Sequence, residues 1–337
     1  MDEKRSYLFL DAIRGIAALL VAQRHFASTL GGTYFESSYL AVDIFFVLSG
    51  FVICHAYSKR LSSNIGVGQF LAIRLLRLYP MYILSLLVLC SYYLWIGVDI
   101  DMMTALLAAV FLPNIWSAAP FFLGPAWSLF CEWIVNIIYA VITKTRFFDM
   151  AAKAALIIGA LGVIGSTIQY GGLDIGFRQS DILGGVFRAL YGFFAGVIAY
   201  KYHNRLGHMQ FYAGLICATL VVASLTASVS ASVRPLYDFG VLLLAPGIVF
   251  VSSRVLVPSA FKGICSFLGE ISYPLYVLHL PMALIILSFI SGAIGGLEKA
   301  IVDVLVWYFV VLASLLSWCA ARYIDHPVRR SCARTFL

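Results

Sequence analysis

Long runs of hydrophobic residues, each close to the length of a membrane-spanning helix, recur along the whole chain. Polar and charged positions are concentrated in the short segments between these runs. A helix needs about 20 mainly apolar residues to cross the hydrocarbon core of a bilayer. The pattern predicts an all-α polytopic membrane protein. The runs that could form spans are eleven in number: 8–30, 39–57, 79–97, 103–118, 127–143, 154–170, 184–200, 210–228, 239–257, 267–289 and 300–321.

The lysines and arginines decide how many of these runs cross. Basic residues are enriched in the cytoplasmic loops of membrane proteins. If the run 103–118 does not cross and the N-terminus is cytoplasmic, 17 Lys and Arg fall in cytoplasmic segments, 3 in external segments and 3 within spans, which accounts for all 23. If that run crosses, the basic turns 144–146 and 201–205 and the Arg-rich C-terminus lie outside. We therefore expect about ten transmembrane helices with both termini cytoplasmic.

The segment 103–126 differs from the other runs. It is only marginally long enough to cross, and Pro113, Asn114, Pro120, Gly124 and Pro125 interrupt it. Irregular backbone is tolerated at membrane depth only where it is buried in protein or lines a cavity. We expect a re-entrant or interfacial segment near 103–126 on the outer side, at the edge of a site.

Composition supports a membrane protein. The chain is 62% hydrophobic and 12% charged, whereas soluble domains are about 45–50% apolar and about 25% charged. The net charge of +7 does not indicate nucleic-acid binding, because the basic residues lie in short loops. The seven cysteines lack metal-ligand spacing, so no metal site is expected. The first run is too long for a cleavable signal peptide. We expect one multi-pass domain over 1–337 in a bacterial-type inner (plasma) membrane.

The first apolar run carries polar residues that are costly in a span: Asp11, Arg14, Arg24 and His25. A charge there costs about 2.5–3.5 kcal/mol on insertion scales and usually marks a functional path. Arg14 and His25 are 11 residues apart, so both project from one side of a helix, about 16 Å apart along its axis. Asp11 lies one turn before Arg14. The alternative is that Arg14 extends to the interface and His25 is satisfied among the headgroups.

A second set of polar residues is expected at the outer side, near His25. Asp43 begins one span, and Trp127, Ser128 and Glu132 begin another. A carboxylate beside a histidine suits proton abstraction, because it orients the imidazole and stabilises its cation. We expect Glu132 to be the stronger partner of His25. Asp43 is an equally good candidate for a helix cap or a structural pair.

The inner side is predicted to collect Asp11, Arg14, Arg74 and Arg77. Arg74 and Arg77 are three residues apart and share a helix face. Several arginines around a small volume indicate a phosphate-binding site. A basic amphipathic helix can equally be a membrane-surface anchor. The chain lacks a Gly-x-x-x-x-Gly-Lys loop, which argues against nucleotide hydrolysis.

Two further polar residues lie within apolar runs. His279 either lines a cavity or is satisfied structurally, and the second reading is the more frequent one for a lone histidine. Arg188 either contacts an acceptor substrate or pairs with a carboxylate. His326, in the tail, is expected to be solvated.

Six motifs, in order, resemble the acyltransferase-3 family of membrane acyltransferases. They are LFLDAIRGIAALLVAQRHF, AVDIFFVLSGFVI, FLAIRLLRLYPMY, PAWSLFCEW, ISYPLYVLHLP and YIDHPVRR, and together they extend over residues 8–330. Each is weak alone, but the ordered set is specific.

The resemblance implies that an acyl group, most often acetyl from acetyl-CoA, moves to a hydroxyl of a carbohydrate or lipid-linked sugar. It implies that His25 is the catalytic histidine and that Arg14, Arg74 and Arg77 bind the donor or shape the site. Glu132 matches the acidic residue after the family's Trp-Ser-Leu. Members often continue with Phe-Tyr a few residues later, whereas this chain has Trp133-Ile-Val-Asn. No extra esterase-like domain is expected.

We therefore expect a membrane O-acyltransferase in which His25, assisted by Glu132 and Asp43, acts on the acceptor hydroxyl. Asp11 and the three arginines hold acetyl-CoA or another acyl-CoA, and Trp127, Ser128, Arg188 and His279 bind the acceptor. Direct transfer and an acyl-His25 intermediate both remain open. Membrane lipids surround the chain. The alternatives are a transporter or flippase of a polar lipid or sugar, which would have repeated broken helices, and a scaffold, which four polar residues in one span disfavour.

Overall fold

The chain forms a bundle of helices. The computed structural model describes residues 7–117, 119, 121–294 and 296–336, and the side chains of 294 and 332–336 lie outside this description. Over these residues there is no β-strand, only one isolated bridge between Met209 and Val255. The expected all-α class is confirmed. The helices are α1 (Leu8–Leu30), α2 (Ala41–Ser63), α3 (Val67–Trp95), α4 (Met102–Ala109), α5 (Ala126–Thr143), α6 (Phe148–Tyr170), α7 (Ile182–Tyr202), α8 (Phe211–Thr226), α9 (Arg234–Ser252), α10 (Ser259–Ile294), α11 (Lys299–Ala320) and α12 (His326–Phe336).

Membrane crossing is supported for most of these helices by length and apolarity. Within the described residues, eight helices are long and apolar enough to span a bilayer. Two of the ten expected spans lie outside that set. Helix α1 carries Asp11, Arg14 and Arg24, and α8 has only 16 residues. The number of crossings and the orientation of the termini stay predictions.

Within the segment 103–126, helix α4 and Phe111 lie alongside α3. Helix α4 has eight residues, so it is about 12 Å long and cannot cross a core of about 30 Å. Tyr82, about 20 Å before the end of α3, donates a hydrogen bond to Ala108 O at 2.6 Å. Its ring stacks on Phe111 at 4.1 Å. The segment therefore re-enters the bundle before α5 begins. Pro120, one of the expected interruptions, lies outside the described residues.

Helix α3 is longer than the sequence pattern indicates. The pattern separates an amphipathic stretch ending near residue 78 from a span that starts at Pro80. The structure has one continuous 29-residue helix through Pro80. Proline within a membrane helix is tolerated because neighbouring groups satisfy the freed backbone carbonyl. Arg74 and Arg77 are therefore part of a helix of the bundle.

Helices α1 and α10 cross closely and run in the same direction. A Cβ on Gly15 would lie 2.5 Å from the Cβ of Leu268, and one on Gly269 would lie 2.6 Å from the Cβ of Asp11. Small residues permit such backbone approach in membrane bundles. Beyond this crossing, Ala18 and Ala22 of α1 are fully buried in a cluster with Leu275. The close packing brings the polar residues of α1 into contact with α10.

Candidate active site

A cavity of about 490 Å³, here called the arginine cavity, opens within the bundle. It lies among α1, α2, α3, α5, α10 and the segment that follows α11. Its apolar lining includes Phe45, Phe46 and Leu78. Its polar lining consists of Asp11, Arg14, Ser49, Arg74, Arg77, Ser128, Glu132, Ser266, Glu270, Ser272, Tyr273, Tyr276, Asp325, His326 and Arg329. The four residues expected at the inner side from the sequence are thus brought together.

Arg14 is oriented by α1 and α10 together. Its Nη2 donates to Asp11 Oδ1 at 2.7 Å, and its Nε donates to Ser272 Oγ at 2.8 Å. Nη2 also lies 3.3 Å from Gly269 O. Asp11 and Arg14 are one turn apart on the same helix face, which makes this pairing local. The guanidinium is therefore held in one orientation at the cavity wall.

Arg74 is held from the opposite side of the cavity. Its Nη2 donates to Glu132 Oε1 at 2.8 Å, and Ser49 Oγ donates to the same oxygen at 2.7 Å. The Nε of Arg74 is buried and has no hydrogen-bond partner within the described structure. A buried donor without a partner costs free energy, which makes it a candidate for a ligand contact.

Arg77 lies one turn after Arg74 and lines the same cavity. Unlike its neighbour it is exposed, and it forms no ion pair within the described part of the chain. A guanidinium presents five N–H donors in a fork that matches phosphate oxygens. Arg77 is therefore available to an anion that enters the cavity.

The C-terminal segment contributes residues that sequence reasoning did not place in a site. Asp325, His326 and Arg329 line the cavity, and Arg329 is paired with Asp325. His326, expected to be solvated, lies 3.7 Å from Glu270 and is only partly exposed. A π-helical turn, Ala321–Asp325, directs the tail back onto the bundle. The sequence feature that could have indicated their place in the site is the YIDHPVRR motif, which lies directly after the last span.

His25 lies in a second concavity, here called the His25 pocket. Its volume is about 520 Å³, and it is lined by Arg24, His25, Ala27, Ser28, Gly31, Gly32 and Tyr34. Arg24 donates to Asp174 Oδ2 at 3.1 Å and lies 5.6 Å from the centre of the Tyr34 ring. His25 contacts a second histidine, because its Nδ1 lies 3.2 Å from Nε2 of His279. His279 is fully buried and lines neither concavity.

The arginine cavity and the His25 pocket share no lining residue. At the end of the arginine cavity, the hydroxyl of Tyr276 is hydrogen-bonded to Ser128 Oγ at 2.7 Å, and Phe45 packs edge-on against the Tyr276 ring. The rings of Tyr276 and His279 are 6.0 Å apart. Two ring layers therefore separate the two volumes. Arg14 and His25 are on one helix, as expected, but they face different compartments.

Glu132 is not beside His25, contrary to expectation. It lines the arginine cavity and is bonded to Arg74. The reason is the depth at which α5 begins. Because the segment around Phe111 re-enters the bundle, the start of α5 lies against Tyr276, in the middle of α10, and not at a membrane face. Glu132, one to two turns further along α5, therefore reaches the level of Arg74.

Asp43 also pairs away from His25. Its carboxylate accepts from Nε and Nη2 of Arg188 at 3.0 and 2.7 Å, and Arg188 donates further to Ile175 O at 2.8 Å. Trp127 packs over this guanidinium at 5.2 Å. Arg188 was expected either to contact an acceptor substrate or to pair with a carboxylate, and the structure has the ion pair. Asp43 accordingly forms a structural pair and is not a partner of His25. Neither side chain, nor Trp127, lines the arginine cavity or the His25 pocket.

These features define an integral membrane protein with a charged cavity inside a helical bundle and a histidine beyond its closed end. A family profile described as an acyltransferase domain matches residues 7–323, nearly the whole chain. The chain belongs to the acyltransferase-3 family, and it is an acyltransferase of the membrane-embedded class.

Two curated relatives accompany this match. "Protein 2 in picA locus" of Rhizobium radiobacter is 42% identical over 155 residues, which covers 40% of this chain and 81% of the relative. "Putative acetyltransferase ORF330" of Acidianus two-tailed virus is 26% identical over 280 residues, covering 80% of this chain and 81% of the relative. No solved structure matches the chain.

Proposed function

We propose that the protein is an O-acetyltransferase of a bacterial-type inner membrane. It moves an acyl group from acyl-CoA on the cytoplasmic side to a hydroxyl of a cell-surface carbohydrate or lipid-linked sugar. Membership of the acyltransferase-3 family supports acyl transfer. The relative whose name contains acetyltransferase favours acetyl as the group that is moved.

The arginine cavity suits the donor. An acyl-CoA has a phosphorylated head and a long, less polar arm that ends in the thioester. Arg77 offers an unpaired guanidinium for phosphate oxygens, and Arg14 and Arg74 lie on the same lining. The apolar surface of Phe45, Phe46 and Leu78 offers packing for the arm. Charge-assisted bonds from arginine to phosphate are among the stronger hydrogen bonds in proteins.

The His25 pocket suits the acceptor. The ring of Tyr34 and the guanidinium of Arg24 lie beside His25 in this pocket. Sugars present hydroxyls that need hydrogen-bond partners and apolar ring faces that pack on aromatic rings. The pocket therefore provides both kinds of contact around the proposed base.

The chemistry rests on one observation: a single helix carries Arg14 in the arginine cavity and His25 in the His25 pocket. In direct transfer, His25 takes the hydroxyl proton, the oxygen attacks the thioester carbonyl, the C–S bond breaks, and the sulfur leaves as the free thiol of CoA after taking up a proton. In the two-step route, the imidazole attacks the thioester carbonyl, the C–S bond breaks, and CoA leaves as its thiolate. The hydroxyl then attacks the acylated imidazole, the C–N bond breaks, and the hydroxyl proton ends on the CoA thiol. Either route requires the Tyr276 ring, at the end of the arginine cavity, to move so that the thioester reaches His25.

The test is transfer from labelled acetyl-CoA by protein reconstituted in vesicles with cell-envelope glycans as acceptor. His25→Ala removes the proposed base or nucleophile, and we expect at least a 100-fold loss of transfer. His208→Ala is the matched control, because His208 is exposed in the turn before α8. Full transfer by the His25 variant would refute the proposal. Movement of intact glycan without CoA release would support a transporter.

Labelling without acceptor separates the two chemical routes. Protein mixed with labelled acetyl-CoA alone should carry label on His25 if an acyl-imidazole forms, and the His25→Ala variant should carry none. No label on the wild-type protein, together with active transfer, favours direct attack.

A further inference from the structure

We infer that His279 is a positioning residue that, together with Val21 O, holds His25 in the tautomer with a free lone pair on Nε2. Nothing in the family match or in the names of the relatives assigns this role. The inference rests on the proposed function of His25, but the protonation pattern of the two rings is a property of the structure alone.

The protonation of His279 follows from its backbone contact. Its Nδ1 lies 3.1 Å from Leu275 O, one turn earlier on α10. A carbonyl oxygen only accepts hydrogen bonds, so Nδ1 of His279 must carry a proton. In a neutral imidazole the other nitrogen then has a lone pair. Nε2 of His279 is therefore an acceptor, and it is the atom that faces His25.

The protonation of His25 follows in turn. Its Nδ1 has two neighbours, Val21 O at 2.9 Å and His279 Nε2 at 3.2 Å. Both are acceptors in this arrangement, so Nδ1 of His25 must carry the proton, and its single N–H is shared between Val21 O and His279 Nε2. Its Nε2 is left with a lone pair. Because both acceptors lie next to Nδ1, the basic nitrogen of His25, Nε2, is the one that points away from α10.

Burial explains why a histidine suits this place. His279 has no exposed surface, and its ring lies between Tyr276 and His25. A carboxylate there would bring a charge into an apolar layer, and the carboxylates expected beside His25, Glu132 and Asp43, are bonded to arginines instead. A neutral acceptor orients His25 without that cost. It also stabilises the ring when Nε2 takes up a proton or an acyl group, because the remaining N–H becomes a stronger donor.

The fold supports the alignment of the two rings. The crossing at Gly15 and Gly269 and the Arg14–Ser272 hydrogen bond hold α1 against α10. Further along, Pro281 removes the N–H that would bond Val277 O, and Ser85 Oγ of α3 donates to that oxygen at 2.5 Å. The turn of α10 that carries His279 is therefore held on both sides.

The first experiment reads the tautomers directly. Protein labelled with ¹⁵N-histidine is purified in micelles, and the His25 and His279 signals are identified by their loss in His25→Ala and His279→Gln. Both rings should show the shifts of imidazoles protonated on Nδ1 at neutral pH. An Nε2-protonated His25 would overturn the inference, whatever the transfer activity.

The second experiment compares two substitutions of His279. His279→Leu removes the acceptor, and we expect kcat to fall about 100-fold while KM for acyl-CoA changes less than about twofold. His279→Gln returns an acceptor oxygen, and we expect it to recover at least tenfold of that loss. His208→Leu is the control for the labelled and kinetic assays.

The outcomes separate this inference from the proposed function. Loss of transfer in His25→Ala with normal kcat in both His279 variants would overturn the role of His279 alone. Equal losses in the Leu and Gln variants would also overturn it. Full transfer in His25→Ala would overturn the proposed function, while the nitrogen shifts would still test the hydrogen bond.

Discussion

Two regions of the protein place arginines beside carboxylates and use them in different ways. At the Arg188–Asp43 pair, the side chains are 1% and 0% exposed, and protein atoms occupy the donors of the guanidinium. In the arginine cavity, Arg14 and Arg74 each keep one carboxylate partner, and Arg77 has no ion pair among the described residues. In the first arrangement every guanidinium nitrogen has a partner within the protein, whereas in the second Arg74 Nε and Arg77 are available to a ligand.

The difference shows that burial of a charge inside a span does not by itself mark a site. Charged residues in spans are functional candidates by default because they are costly. At Arg188, Asp43, Ile175 O and Tyr39 O together bond every nitrogen of the guanidinium. By contrast, the Nε of Arg74 is buried and has no hydrogen-bond partner in the described part of the chain, and Arg77 is exposed. Unsatisfied donors on a cavity wall are the better indicator.

The largest effect is expected at the buried pair. Arg188→Met leaves Asp43 without a partner, and we expect a loss of about 3–5 kcal/mol in the free energy of unfolding. The double variant Arg188→Met with Asp43→Leu removes both charges and should recover most of that loss. Unfolding by denaturant in micelles measures both. A stable single variant would show that the pair does not hold the fold.

A smaller effect, on binding, is expected at Arg77. Arg77→Ala removes a free guanidinium, and we expect acyl-CoA affinity to fall about 10- to 100-fold, since hydrogen bonds to charged groups contribute about 1.5–3 kcal/mol. The variant should still fold, because Arg77 has no ion-pair partner among the described residues. Calorimetric titration with acetyl-CoA measures the affinity. Arg330→Ala, an exposed arginine outside the cavity lining, is the control. Unchanged affinity would remove Arg77 from the donor site.

The role of Glu132 is sharpened by a double-mutant cycle with Arg74. If Glu132 holds Arg74, Glu132→Gln and Arg74→Ala should be non-additive in donor affinity by about 1 kcal/mol or more. Ser49 lies in the same network, so Ser49→Ala should show a weaker coupling. The opposite result would favour the arrangement expected from the sequence, in which Glu132 is the partner of His25. In that case Glu132→Gln and Arg74→Ala would have additive effects on affinity, and Glu132→Gln and His25→Ala would have non-additive effects on kcat.

The smallest effect is expected at the C-terminal segment. Arg329 already has a carboxylate partner, Asp325, and is partly exposed, so its contribution to donor binding should be about 0.5–1 kcal/mol, or two- to fivefold in affinity. Arg329→Ala compared with Arg330→Ala measures it by the same titration. Equal affinities in the two variants would place Arg329 outside the donor site.

Much of this architecture is local enough to be predicted from the sequence. Apolar runs of span length predict the helices, and helical periodicity predicts that Asp11 and Arg14, or Arg74 and Arg77, share a face. The interruptions at Pro113 and Pro125 predict that 103–126 does not cross, and α4 is indeed too short. The ordered motifs predict the family, which the profile over residues 7–323 confirms.

The partners of the polar residues depended on the tertiary structure. Glu132 meets Arg74 because the re-entrant segment sets the depth of α5, and Asp325 and Arg329 reach the cavity because a π-helical turn directs the tail back. His25 meets His279 because α1 and α10 cross closely at Gly15 and Gly269. The sequence by itself determined which residues are polar within each helix, because that follows from spacing along one chain segment. Only packing between distant segments decided which of them touch, because depth and crossing geometry are properties of the whole bundle.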